Sequence, residues 1–135
     1  MVVGVGIDLV EVERVGRAAE RFGERFLRRI FHPNELEHPR GEWVQFLAAR
    51  FAVKEALFKA LGTGWSGGVR WIDVEVQNLR SGQPILLLHG TASQRADEMG
   101  ARRTHVSITH TAGHAAAVVV LETLDHEASR PGPTA

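Results

Sequence analysis

The sequence predicts an α+β fold in which a mainly antiparallel sheet packs against helices. Three observations lead there. The elements read in the order strand, helix, helix, hairpin, helix, hairpin; the later strands come in pairs joined by short turns; and apolar residues recur at helical steps between the first strand and residue 61.

Residues 2–10 (VVGVGIDLV) are β-branched and glycine-rich, and read as a strand ending at Asp8 to Val10. From about Glu13 to Phe31, the residues Val15, Ala19, Phe22, Phe26 and Ile30 fall at three- and four-residue steps along one helix face. His32, Pro33 and Asn34 stop that helix, and Glu35 to Glu42 reads as a short turn or half-helix. Trp43 to Leu61 is expected to be a strongly amphipathic helix striped by Val44, Leu47, Phe51, Phe58 and Leu61, with Gly62 at its C′ position. A glycine-rich loop follows at residues 62–68 (GTGWSGG). Val69 to Leu79 and Pro84 to His89 flank Ser81-Gly82 as a hairpin, and Thr91 to Met99 is a short helix. The last strands are His105 to Thr109 and Ala115 to Glu122, turning at Thr111 to His114. Residues 1–125 are expected to form a single domain, and residues 126–135 (HEASRPGPTA) a polar, disordered tail.

Composition removes several classes of function. The chain has 135 residues, no cysteine and a formal net charge of zero, so thiolate metal sites and cysteine nucleophiles are excluded and no global attraction to nucleic acid is expected. No apolar run approaches the roughly 20 residues of a membrane span, and the N-terminus lacks a basic flank, so a cytoplasmic protein is expected. Of sixteen basic residues only Lys54 and Lys59 are lysine, and both lie in one short segment. An ammonium is a compact point charge and a guanidinium a planar fork, so a site that needs the former resists a general bias toward arginine.

Asp8 ends an apolar strand between Ile7 and Leu9, where alternation points it away from both. Alone it would pass for a strand-end or helix-capping acid. Glu55 lies at the edge of the second long helix's apolar stripe, with Lys59 one turn further on. As a surface pair Glu55 and Lys59 would contribute only ~0.3–0.5 kcal/mol. A carboxylate at the border of a buried face must instead be paired, metal-bound or opened to a cleft. If that helix packs on the first strand, Asp8 and Glu55 converge. Two carboxylates suit a hard cation such as Mg2+, whose remaining ligands are typically phosphates and waters. The glycine-rich loop could bring backbone N–H groups to phosphate, although it follows a helix C-terminus, where the macrodipole disfavours anions.

Seven histidines raise the question of zinc, but no H-E-x-x-H occurs and His110 and His114 straddle a strand end and a turn. No histidine-based metal site is expected, and His32 and His38, beside prolines, read as surface residues.

Three segments resemble the signatures of the bacterial holo-acyl-carrier-protein synthase family: Gly4-Val5-Gly6-Ile7-Asp8, the run from Phe51 to Gly64 (FAVKEALFKALGTG), and His105 to Thr111 (HVSITHT). They occur in the family's order and spacing, and the likeness extends over nearly the whole chain apart from its tail. The resemblance implies a 4'-phosphopantetheinyl transferase fold. It also implies a magnesium-dependent enzyme of fatty acid biosynthesis, which moves 4'-phosphopantetheine from coenzyme A to a serine of apo acyl carrier protein and releases adenosine 3',5'-bisphosphate. Asp8 and Glu55 would hold Mg2+, Lys59 would face the phosphates, Gly62, Thr63 and Gly64 would lie near them, and His105 would sit at the nucleotide end. Asp8, Glu55 and Lys59 would be catalytic, with the serine proton going either to Glu55 or to a metal-bound water oriented by Asp8. The family is typically a homotrimer with interfacial active sites.

On the first helix Arg14, Arg17, Arg21, Arg25 and Arg28 span about 80° of the wheel. This ridge reads as a solvated face with Glu13–Arg17 and Glu24–Arg28 pairs, or as a dock for an acidic protein. The resemblance favours docking of acyl carrier protein, with Arg14, Arg21 and Arg25 as the docking residues. A non-catalytic nucleotide-binding module and a structural interaction domain are the competing readings.

Overall fold

A computed structural model describes residues 1–37, 42–63 and 68–124. Strand β1 (Val2–Glu11) leads directly into helix α1 (Val12–Ile30), then come α2 (Pro33–Glu37) and the long helix α3 (Trp43–Leu61). A 3-10 turn at Trp71–Asp73 enters the hairpin of β2 (Val74–Asn78) and β3 (Pro84–Leu88). Helix α4 (Gly90–Met99) and the hairpin of β4 (Arg103–His110) and β5 (His114–Glu122) complete the fold. The α+β class holds, but the strands form two antiparallel sheets: β1-β5-β4 and β2-β3. The 126–135 tail lies outside the described residues, as does His38.

Helix α3 lies on the inner face of the three-stranded sheet, and the hairpin β2-β3, α1 and α4 close around it. The expected amphipathic pattern is therefore corrected. Leu47, Ala48, Ala52, Val53, Lys54, Ala56, Leu57 and Leu61 are all inaccessible, covering most of the helix circumference. A helix covered on nearly every side needs no polar face, and small alanines let its neighbours approach. The closest approach is to β1. A Cβ on Gly6 would lie 1.8 Å from the Ala56 carbonyl oxygen, and one on Gly4 would lie 2.3 Å from that of Ala60.

Helix α1 departs from its expected stripe at Phe22, which is 54% exposed. The cause is Gly23, whose φ of 57° and ψ of −139° break the helix, so residues on either side do not share one phase. The arginine ridge counted on a continuous wheel is likewise divided between Arg14–Arg21 and Arg25–Arg28.

Candidate functional site

Strand β1 and the last two turns of α3 bring the predicted acids together. Asp8 pairs with Ala117 of β5 on the sheet's inner face, toward α3. Lys59 reaches across from α3, donating to the Ile7 carbonyl at 3.0 Å and to Asp8 Oδ1 at 3.1 Å. Asp8 is mostly enclosed and Lys59 about half exposed, so the ammonium is held at the rim. Glu55, half-buried one turn earlier, shares with Asp8 a cleft of about 340 Å³ whose walls include Arg14, Phe26 and Phe51. Arg14 is thus the one residue of the ridge that also lines the acidic cleft. Arg25 instead lines a neighbouring apolar groove of about 470 Å³ with Phe22, Phe26 and Trp71, while Arg21 lies over the Phe22 ring at 5.3 Å. Arg17 and Arg28 pair with Glu13 at 3.8 Å and Glu24 at 3.4 Å.

The loop residues behave less simply than their glycines suggest. Gly62 adopts the left-handed conformation, φ 72°, expected of a C′ residue. Its N–H is spent on the Lys59 carbonyl at 3.1 Å, and the Thr63 N–H on that of Phe58 at 3.3 Å. Neither amide is available to phosphate in this state. The Thr63 hydroxyl is buried with no hydrogen-bond partner among the described residues. Gly64 lies outside the described residues.

Of the two lysines, only Lys59 reaches the cleft. Lys54 is inaccessible and donates to Glu35 Oε1 at 2.6 Å, to the Trp71 carbonyl at 3.2 Å and to the Val74 carbonyl. Burial holds its pKa below the ordinary lysine range, against the opposing pull of Glu35. Lys54 is a structural tie between α3, α2 and the β2 hairpin. Helical position alone did not separate it from Lys59, because the distinction depends on which neighbour covers each side.

His105 is not brought to Asp8. It pairs with Val120, which pairs with Val5, whereas Asp8 shares its row with Ala117 and Ile108. Residues an odd number of positions apart in a strand face opposite sides, so His105 is on the outer face of the sheet and Asp8 on the inner one. There His105 hydrogen-bonds to Glu122 Oε1 at 2.8 Å, and that contact holds the Glu122 carboxyl below its ordinary range. The same outer face carries Val5, Ile7 and Leu9, exposed by 58%, 66% and 67%.

A second polar cluster had no sequence signal. His32, Glu75 and His89 meet where the start of α2, strand β2 and the start of α4 converge, although they are far apart in the chain. His32, expected at the surface, is three-quarters enclosed.

Comparison with known proteins sets this geometry in a family. The profile described as the 4'-phosphopantetheinyl transferase superfamily matches residues 4–119. The holo-[acyl-carrier-protein] synthase of Nitratidesulfovibrio vulgaris is 54% identical over 123 residues, covering 90% of this chain and 99% of that protein. The chain belongs to the holo-[acyl-carrier-protein] synthases of that superfamily. Among solved synthases, that of Neisseria meningitidis superimposes with a TM-score of 0.83 at 36% identity, covering 91% of this chain and all of that one. The Helicobacter pylori synthase, solved in complex with coenzyme A, gives a TM-score of 0.75 at 30% identity over 87% of this chain and 99% of that one. The α+β architecture is therefore that of a synthase family member. Among the described residues no helix is long and apolar enough to cross a membrane.

Proposed function

We propose that the chain transfers 4'-phosphopantetheine from coenzyme A to a serine of apo acyl carrier protein, in the cytoplasm and in the service of fatty acid synthesis. The observation that carries this reading is the convergence of Asp8 and Glu55 on one cleft, with Lys59 hydrogen-bonded to Asp8, in a member of the synthase family. Residues 1–125 act as the single catalytic domain, a reading supported by the family match over residues 4–119.

The cleft's donor set fits a magnesium ion. Asp8 and Glu55 are hard oxygen ligands half-enclosed in one cavity, and Mg2+ characteristically takes one or two carboxylates and leaves other positions to phosphates and waters. When bound, the ion would supply positive charge against the pyrophosphate of coenzyme A. Lys59 adds a second positive charge beside it, and its two anchors on β1 fix where that charge stands. The carrier serine oxygen attacks the β-phosphorus as its proton passes to Glu55 or to a water oriented by Asp8, the bond to the bridging oxygen breaks, and adenosine 3',5'-bisphosphate leaves. In such transfers the protein chiefly positions the reactants and neutralises developing charge. Preformed contacts such as Lys59 to Ile7 reduce the reorganisation needed at that moment.

Arg14, Arg21 and Arg25 are read as the dock for the acidic carrier. Arg14 stands on the cleft wall beside the acids, which supports a docking role for it. Gly62, Thr63 and Gly64 are read as the phosphate-side turn; the buried Thr63 hydroxyl, without a partner among the described residues, supports this, whereas the spent amides of Gly62 and Thr63 count against a backbone cradle at those two positions. His105 is read as a ligand of the nucleotide end contributed to a neighbouring copy's site. Its place on the opposite face from its own Asp8 supports an interfacial site, and the exposed Val5, Ile7 and Leu9 offer the apolar surface on which copies of a homotrimer would meet.

The test is to incubate the protein with coenzyme A, magnesium and apo acyl carrier protein and measure the intact mass of the carrier. A gain of one phosphopantetheinyl group is expected, and Asp8→Ala or Glu55→Ala should abolish it. No gain with several carrier proteins would refute the reading.

A further inference from the structure

Away from the acidic cleft, the cluster of His32, Glu75 and His89 brings two imidazoles and one carboxylate to the same point. One ligating atom of each lies within 4.8 Å of the others. Glu75 Oε1 is 2.9 Å from His89 Nε2 and 3.7 Å from His32 Nδ1. In a tetrahedral site with metal–ligand bonds of about 2.1 Å, ligating atoms stand about 3.4 Å apart. The two separations from Glu75 bracket that value, and the two histidine nitrogens stand within 4.8 Å of each other, so side-chain adjustment without backbone rearrangement would bring the three ligands to one ion.

The carboxylate is prepared for one direction. Glu75 is buried, and its Oε2 accepts from Gln77 Nε2 at 2.6 Å and from Asn34 Nδ2 at 3.3 Å. Those bonds fix the group with Oε1 turned to both histidines, which is what outer-shell partners do in a metal site. The His89 side chain is 45% exposed, so an ion has an entry path and water can complete its coordination. The two rings are stacked with centroids 5.2 Å apart. One contact opposes binding: His32 Nδ1 accepts the Asn34 backbone N–H at 3.1 Å, and an ion at that nitrogen must displace it.

We propose that His32, Glu75 and His89 form a second, transition-metal site that takes Zn2+ or a similar borderline ion and ties the start of α2 and the start of α4 to strand β2. Nitrogen donors select such ions over magnesium. No motif spacing signals this site, because the three ligands come from separate elements.

The test is calorimetric titration of Zn2+ into the full-length Asp8→Asn, Glu55→Gln protein, in which the acidic cleft cannot account for binding. Expected is one saturable zinc site, with affinity lowered at least tenfold by His89→Gln or His32→Gln and unaffected by His105→Gln. Gln77→Leu should lower it roughly 10–100-fold. Co2+ in the same protein should give tetrahedral visible absorption bands that His89→Gln removes, and Zn2+ should raise Tm in the parent but not in His89→Gln. Absence of saturable binding, or equal binding by the His32→Gln, His89→Gln double variant with its Tm in metal-free buffer intact, would overturn the proposal.

Discussion

Replacing Gly6 with alanine tests how the acids are brought together. The added Cβ would stand 1.8 Å from the Ala56 carbonyl oxygen, 2.8 Å from its carbon and 2.9 Å from the Ala60 nitrogen. Ordinary contact begins near 3.4 Å, so 3.4 − 1.8 leaves about 1.6 Å to be made up between β1 and α3. All three atoms are backbone, so no side chain can rotate away. Overpacking a rigid interior costs about 1–3 kcal/mol, and this clash belongs at or above the top of that range. A loss of about 3 kcal/mol in a domain of this size lowers Tm by roughly 10 °C. The chemistry should suffer more than the stability. Asp8 lies two residues beyond Gly6 on β1, and Ala56 follows Glu55 on α3, so the shift falls between the two carboxylates. A misplacement of about 1 Å can cost 10²-fold in rate, so kcat/KM should fall at least that far at a temperature where Gly6→Ala remains folded. Gly113→Ala is the control: its Cβ meets nothing within 4 Å, and it should change stability by less than about 0.5 kcal/mol. Differential scanning calorimetry and steady-state carrier modification read both quantities. A Gly6→Ala protein with parental Tm and turnover would refute the close strand–helix contact and the site built on it.

Three further outcomes are expected. Lys54→Met should cost about 3 kcal/mol in urea unfolding, because it leaves the buried Glu35 carboxylate with Arg50 at 3.9 Å as its remaining ion-pair partner among the described residues; a loss below about 1 kcal/mol would contradict the buried pair. Reversing Arg14 and Arg21 to glutamate should raise KM for carrier protein while leaving that for coenzyme A nearly unchanged, and equal effects on both would refute the docking role. Mixing inactive Asp8→Ala with inactive His105→Ala after dissociation and reassembly should restore part of the activity, since some interfaces would then combine an intact Asp8 with an intact His105; no recovery would argue against a site shared between copies.

The acids were legible because each broke a local pattern: Asp8 interrupts an apolar strand, and Glu55 sits at the border of a helix face. Their convergence followed once β1 packed on α3, which the two glycines permit. Other features depended on partners that sequence does not place. The exposed Phe22 followed from the backbone turn at Gly23, which a periodicity count treats as continuous helix. Lys54 and Lys59 differ only in their surroundings: Glu35 and the carbonyls entering the β2 hairpin enclose the one, and the other reaches Asp8 and the Ile7 carbonyl from a half-exposed position. Strand β1 is the most instructive case. Alternation alone would bury Val5, Ile7 and Leu9, yet the inward side carries Gly4, Gly6 and Asp8 because the helix backbone must come close there. The larger apolar residues are left on the outside, where a second copy can cover them. His32 and His89 met only because α2 and α4 both begin beside Glu75.

The most direct measurement of the central claim is simultaneous quantification of adenosine 3',5'-bisphosphate and modified carrier, in parent and Asp8→Ala proteins of matched Tm. The parent should release one bisphosphate for each carrier serine modified, and Asp8→Ala should release none above background. Undiminished release by Asp8→Ala, or carrier modification without bisphosphate, would contradict a phosphopantetheinyl transfer centred on this cleft.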